Sequence, residues 1–260
     1  MFELSLQDQV AIITGAGRGI GRATAHAFAQ AGASVALASR TPEELERVAS
    51  EVRELGGRAL VVPTDAADEA AMHALVDRTV TEFGTLDIMV NNAGVAPFLA
   101  SFMDTRPEGF EKYFGINFWS AVYGTRVAGA VLLEKGSGCV VNLASIDAVT
   151  VEHGLAYYGA AKAAIVNLTR STALEWASSG VRVNALAPGW IDTSMNAPER
   201  ADPAAERKIL AAIPLGRWGR PEEIAGAAVF LCSSAAAFIT GEVLVIDGGQ
   251  TISSSGEALG

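Results

Sequence analysis

The stretch TGAGRGIG, Thr14–Gly21, closes the apolar run VAIIT and opens directly into RATAHAFAQAG, Arg22–Gly32. The small and apolar spacing of that second segment predicts a helix, so the chain reads here as strand, sharp turn, helix. Gly15, Gly19 and Gly21 permit a tight turn and leave room for a close approach of the backbone to a pyrophosphate. Arg18 and Ile20 lie inside the same turn. The helix that follows presents free N–H groups and its positive dipole end to an anion. The spacing is G-x-x-x-G-x-G rather than G-x-G-x-x-G, and a glycine-rich turn by itself can be purely structural.

Outward from this turn, apolar runs alternate with helical patterns. VAIIT, SVALAS, RALVVP, LDIMV, GCVVNLA, VRVNALA and EVLVID read as mostly buried strands. Helical spacing fills Thr41 to Leu55, Asp68 to Phe83 and Pro107 to Glu134. The alternation predicts an α/β fold: a Rossmann-type, doubly wound, seven-stranded parallel sheet with right-handed crossovers, in one domain spanning residues 1–260. The irregular part, Pro188 to Pro214, is expected to form a surface loop and short helix over a site. The serine-rich ISSSGEALG end is expected to be flexible unless an oligomer holds it.

Composition fits this reading. The length of 260 residues suits one domain with a sizeable core, and half of the residues are hydrophobic. No run approaches a membrane-spanning length and no signal-like start is visible, which makes a cytoplasmic location the default. A net charge of −10 argues against nucleic acid or an anionic membrane as partner. Cys139 and Cys232 lie in apolar segments and read as packed thiols, not as a disulfide or metal pair.

A second constellation lies further along. Tyr158 and Lys162 stand one helical turn apart in YYGAAKAAI, and Ser145 ends the run CVVNLAS. A lysine at i+4 shares the tyrosine's helix face, and its charge is expected to lower the phenol pKa from about 10 toward neutrality. A serine hydroxyl nearby can bind the oxygen that gains or loses a proton. Y-x-x-x-K alone arises by accident on many amphipathic helices. Tyr157 lacks a lysine partner, since its i+4 residue is Ala161.

Taken with TGAGRGIG and with NNAG at 91–94, Ser145, Tyr158 and Lys162 resemble the short-chain dehydrogenase/reductase family, from Leu6 to about Thr251. The resemblance implies a nicotinamide cofactor and a small carbonyl or alcohol substrate. Tyr158 would donate the proton, Lys162 would tune it and hold the nicotinamide ribose, and Ser145 would orient the substrate oxygen. Asn117 corresponds to the family's fourth residue, which organises a water path to the lysine. Asp65 would contact adenine, and Asn91, Ala93 and Gly94 the ribose. Pro188, Gly189, Ile191 and Thr193 would meet the nicotinamide. The family's habit of assembling tetramers through two long helices and the last strand implies a homotetramer.

Cofactor choice rests on the end of the second strand. In dinucleotide folds an acid about 20 positions beyond the glycines binds the ribose 2′-hydroxyl. Ser39 followed by Arg40 holds that slot, and Arg18 adds a second cation, so NADP(H) is expected over NAD(H). Arg40 can equally begin the next helix or stack on adenine with NAD(H).

Other residues carry two readings each. Asp147 is a pocket-floor group or a surface turn, and Trp190 covers an apolar substrate or packs its loop. His153 reads as an exposed loop residue, and His26 and His73 as structural or solvated. Phe98, Phe102 and Met195 offer apolar wall, with Trp119 expected in the core. The leading function is a ketone reductase or the reverse alcohol dehydrogenase. A 3-oxoacyl-[acyl-carrier-protein] reductase is second, disfavoured by the acidic surface an acidic carrier would meet. A catalytically silent dinucleotide-binding protein is third, against which the intact Ser145, Tyr158 and Lys162 argue. Specificity is expected to lie in the 95–105, 146–154 and 189–212 loops.

Overall fold

The computed structural model describes residues 4–95 and 99–253. Seven strands form one parallel sheet: β1 Val10–Thr14, β2 Ser34–Ser39, β3 Ala59–Pro63, β4 Ile88–Asn91, β5 Gly138–Leu143, β6 Val181–Pro188 and β7 Val243–Ile246, in the order β3-β2-β1-β4-β5-β6-β7. The central strands are apolar on both faces because helices cover both. β1 is buried along its whole length, whereas the edge strand β7 keeps partial exposure.

One layer contains α1 Gly19–Gln30, α2 Pro42–Glu54 and α9 Pro221–Cys232; Ala25, Phe28, Val48 and Ile224 bury there in one core with Ile13, Val35 and Val141 of the sheet. The opposite layer contains α3 Glu69–Phe83, α5 Ser120–Lys135 and α6 Ala156–Trp176, with Met72, Leu75, Val127 and Leu132 packed on the sheet. Asp68 caps α3 by accepting from Ala71 N at 3.1 Å. Glycines in the left-handed region end α3 at Gly84 and α5 at Gly136. Both cysteines are free, buried thiols. Among the described residues no helix is long and apolar enough to cross a membrane.

Two stretches differ from the sequence expectation. The helix read over Pro107 to Glu134 is α4 Pro107–Phe114, one π turn over Gly115–Trp119, and then α5. The wider turn coincides with a buried Asn117, whose side chain leaves the helix to accept from Val95 N at 3.2 Å. The 188–214 stretch carries two short helices, α7 Ala197–Ala201 and α8 Pro203–Ala212; each has a proline in its first turn, Pro198 and Pro203, where a missing N–H is tolerated.

Candidate active site

The sheet reverses its winding direction between β1 and β4, and the C-terminal ends of these strands leave a crevice. Thr14 and Asn92 tie its two sides together. Thr14 Oγ1 accepts from Asn92 N and Ala93 N, each at 3.0 Å, and Asn92 Nδ2 donates to Thr14 O at 2.8 Å and Gly15 O at 3.2 Å. Gly15 and Gly19 adopt positive φ, which few other residues tolerate. A Cβ on Gly21 would lie 2.2 Å from Gly15 O, so only glycine fits against the turn. Arg18 caps α1 without a side-chain bond, leaving the first N–H groups of the helix open toward the crevice. These features suit a pyrophosphate.

A single cavity of about 540 Å³ runs from this turn past the ends of β2, β3 and β4 to the start of α6. It brings together Gly15, Arg18, Gly19, Ile20, Gly21, Ser39, Arg40, Asp65, Ala93, Gly94, Asn117, Ser145, Tyr158, Lys162, Pro188, Gly189, Ile191 and Thr193 on one wall system. Asn91 is the exception. It is buried behind the crevice, where Nδ2 donates to Thr125 Oγ1 at 3.0 Å and Asn142 Oδ1 at 2.8 Å. Its neighbour Asn92 lines the cavity instead.

At the end of the cavity beside β2 and β3, Arg18 and Arg40 are exposed, and among the described residues neither guanidinium is engaged in a hydrogen bond or ion pair. The sequence reading missed Glu44 in the first turn of α2. Its carboxylate lines the cavity close to Gly17: a Cβ there would meet Glu44 Oε2 at 2.8 Å and Ser39 Oγ at 3.4 Å. An acid therefore reaches the same corner as Ser39, from the helix rather than the strand. The one signal in the sequence was a glutamate at the third helical position after Thr41.

At the other end, Ser145 leaves β5 and Tyr158 and Lys162 share one face of α6. Lys162 is buried, donates from Nζ to Leu143 O at 2.8 Å, and lies 5.7 Å from the centroid of the Tyr158 ring. Burial pulls its ammonium down to about 8, against the charge of Asp147. The Tyr158 phenol stands well above its ordinary value; burial raises it most, Asp147 next, and a hydrogen bond with Ser145 opposes both. The expectation that Lys162 lowers this phenol is thus reversed: the ammonium is turned to a main-chain carbonyl and weakened by desolvation, while a carboxylate faces the phenol.

Asp147 belongs to the cavity wall, as does Trp190, which also packs edge-on to Trp218 at 5.7 Å. Met195 is a partly exposed wall residue. Tyr157 is buried against Phe110 and Tyr113, away from the cavity. Trp119 is not core: it is 46% exposed and stacks on Tyr123. Phe102 is exposed and packs on Phe110, and Phe98 lies outside the described residues. His153 is exposed, and His26 joins Arg22 on Glu51 at the surface of α1.

Comparison with known proteins agrees with this geometry. A short-chain alcohol dehydrogenase family model, described as enoyl-(acyl carrier protein) reductase, matches residues 15–251. The chain belongs to the short-chain dehydrogenase/reductase family. It is 41% identical over 244 residues to cis-4-hydroxycyclohexanecarboxylate dehydrogenase of Sinomonas cyclohexanicum, covering 94% of this chain and 97% of that one. A gluconate 5-dehydrogenase from Burkholderia cenocepacia J2315, solved with NADP and tartrate, superimposes with a TM-score of 0.92 at 32% identity, over 96% of this chain and 98% of that one. A 7α-hydroxysteroid dehydrogenase solved with NADH and 7-oxo glycochenodeoxycholic acid does so at 0.90 and 35%, over 96% and 98%. Family membership makes the protein an oxidoreductase of the kind that acts on alcohol or ketone groups with a nicotinamide dinucleotide.

Proposed function

We propose that this protein transfers a hydride between NADP(H) and a ketone or secondary alcohol of small or medium size. One observation carries the reading: a continuous cavity joins the glycine turn to Ser145, Tyr158 and Lys162. When bound, the nicotinamide supplies or takes up the hydride. The chain's own residues hold the cofactor and manage one proton. Tyr158, kept protonated by burial and by Asp147, donates to the carbonyl oxygen during reduction and accepts from the alcohol in the reverse direction. Ser145 orients that oxygen. Lys162 and Asn117 stand beside Gly94, whose added Cβ would lie 3.0 Å from Asn117 Oδ1 and 3.9 Å from Lys162 Nζ; this proximity supports the reading in which Lys162 holds the nicotinamide ribose and Asn117 serves a water path.

Preference for NADP(H) is supported by two unengaged guanidinium groups, Arg18 and Arg40, and opposed by the single carboxylate of Glu44. A carrier-bound 3-oxoacyl substrate is the second reading, favoured by the description of the matching family model and disfavoured by the net charge of −10. A cytoplasmic homotetramer is the assembly we assign, on family habit and on the exposed Leu174, Phe238 and Ile252. The test is turnover: purified protein should oxidise NADPH with some members of a panel of ketones. Binding of NADPH with no turnover of any carbonyl or alcohol would leave only the catalytically silent alternative.

A further inference from the structure

Asp147 is a carboxylate in the wrong place for a simple wall residue. It sits in the 3₁₀ turn Ile146–Ala148, directly after Ser145, and shares two hydrogen bonds with it. Ser145 Oγ donates to Asp147 Oδ2 at 2.9 Å, and Asp147 N donates to Ser145 Oγ at 3.2 Å. The serine hydroxyl that is needed at the substrate oxygen is therefore already committed to an acid.

We propose that Asp147 is a positioning residue whose protonation state decides whether Ser145 faces the substrate as a hydrogen-bond acceptor or as a donor. With Asp147 ionised, the Ser145 hydrogen points at the carboxylate, so the serine offers a carbonyl oxygen no donor, and its oxygen, which already accepts from Asp147 N, can accept one further hydrogen, from Tyr158 or from an alcohol O–H. With Asp147 protonated, its O–H donates to the serine oxygen, and the serine hydrogen turns to the cavity, matched to a carbonyl oxygen. Asp147 takes its proton from solvent and passes none to product; the proton gained by the substrate oxygen still comes from Tyr158. This deepens the assignment of a ketone or alcohol substrate and rests on it.

The surroundings make such a switch reachable. Burial pushes the Asp147 carboxyl up, against the Ser145 hydrogen bond, the Lys162 charge and its own backbone N–H. The charged or titratable groups that face it are Tyr158 and Lys162 on α6 and Glu152 in the following turn; Glu152 is raised by burial and by Asp147, with Lys208 of α8 and Glu199 of α7 acting on it in opposite directions. The negative form of Asp147 also holds Tyr158 protonated, so one carboxylate sets both hydroxyls of the site.

The experiment uses the NADPH-loaded enzyme and one good ketone, with the KM for ketone followed from about pH 5 to about pH 9, a range that starts above the ordinary aspartate value of about 3.9. In wild type the ketone KM should climb with pH by about fivefold, the worth of one neutral hydrogen bond. Asp147→Asn carries an amide N–H that can donate to Ser145 as the protonated acid does, so its ketone KM should stay low and flat. In the oxidative direction Tyr158 must act as base, and loss of the Asp147 charge should move the acid limb of kcat/KM to lower pH by about one unit, the order a neighbouring like charge produces. Ser145→Ala is the second variant, should Asp147→Asn misfold: its ketone KM should be independent of pH. A wild-type KM that is flat in pH, an Asp147→Asn profile superimposable on wild type, or a pH-dependent KM persisting in Ser145→Ala would overturn the proposal. If Tyr158→Phe is inactive while Asp147→Asn matches wild type, only this inference falls; an active Tyr158→Phe removes the hydride-transfer assignment itself.

Discussion

Exchange of Ser39→Asp together with Arg40→Leu should reverse the cofactor preference. Ser39 ends β2 and lines the cavity, and the exposed Arg40 follows it with its guanidinium unengaged among the described residues. Deleting that cation removes a charge-assisted bond to a 2′-phosphate worth about 1.5 kcal/mol, the low end for such bonds because the group is solvent-exposed. The introduced aspartate repels the phosphate and accepts from the free 2′-hydroxyl of NADH, a further change of about 1.5 kcal/mol. Together these give about 3 kcal/mol, or roughly a hundredfold in the ratio of the two cofactors at 1.4 kcal/mol per decade. Arg18 retains part of the NADPH binding. Glu44 already brings one carboxylate to this corner, so the parent's preference for NADPH should be moderate, and Glu44→Gln should widen it. The assay is kcat/KM for NADPH and NADH with one ketone in parent and variants. A parent that prefers NADH, or a ratio that moves by less than about tenfold in the double variant, refutes the reading of this subsite.

Tyr158→Phe should lose at least about 10²–10⁴-fold in turnover while NADPH binding persists by fluorescence titration, because it removes the proposed proton donor and retains the ring; Tyr157→Phe, buried away from the cavity, is the mild control. Gly21→Ala places a Cβ 2.2 Å from the Gly15 carbonyl, a main-chain atom that cannot swing aside, so NADPH binding should collapse and the Tm should fall by roughly 2–12 °C. Lys162→Met should abolish turnover yet stabilise the fold. Its folded value of about 8 lies below the ordinary 10.5, so the folded state carries the cost of a buried ammonium below about pH 8 and sheds it as pH rises toward 10.5. At neutral pH the methionine variant should gain about 2 kcal/mol, after about 1 kcal/mol is lost at the stranded Leu143 carbonyl, and the advantage should shrink between pH 8 and 10.5 in chemical denaturation.

The seven strands were legible because their signal is local and redundant: short β-branched runs, buried on both faces, punctuated by helical spacing. β1 and β2 match their runs to the residue. The π turn at Gly115–Trp119 was not legible, since an amphipathic pattern shows which residues are apolar without fixing whether a turn closes after four residues or five. Trp119 was misplaced for the same reason: the extra residue of the turn rotates the helix face that follows it toward solvent.

The site divides along a similar line. Residues tied to backbone geometry, such as Gly15, Gly19 and Gly21, announce themselves, because only glycine fits there. Side-chain direction does not. In NNAG one asparagine must follow the strand inward and the next must leave it, and the choice depends on the register that sets Asn91 opposite Asn142 across β4 and β5. That register is a tertiary fact, and it sends Asn91 into a buried amide ladder reaching Thr169 through Asn142. Likewise Y-x-x-x-K places a lysine and a tyrosine on one helix face without saying where the ammonium points. The Leu143 carbonyl, supplied by a strand nineteen residues away, captures it, and Asp147 is the charge that acts on the phenol. Asp147, two residues after Ser145, thus adds to the burial that raises a phenol thirteen positions beyond that serine, through a turn whose two hydrogen bonds no periodicity could have revealed.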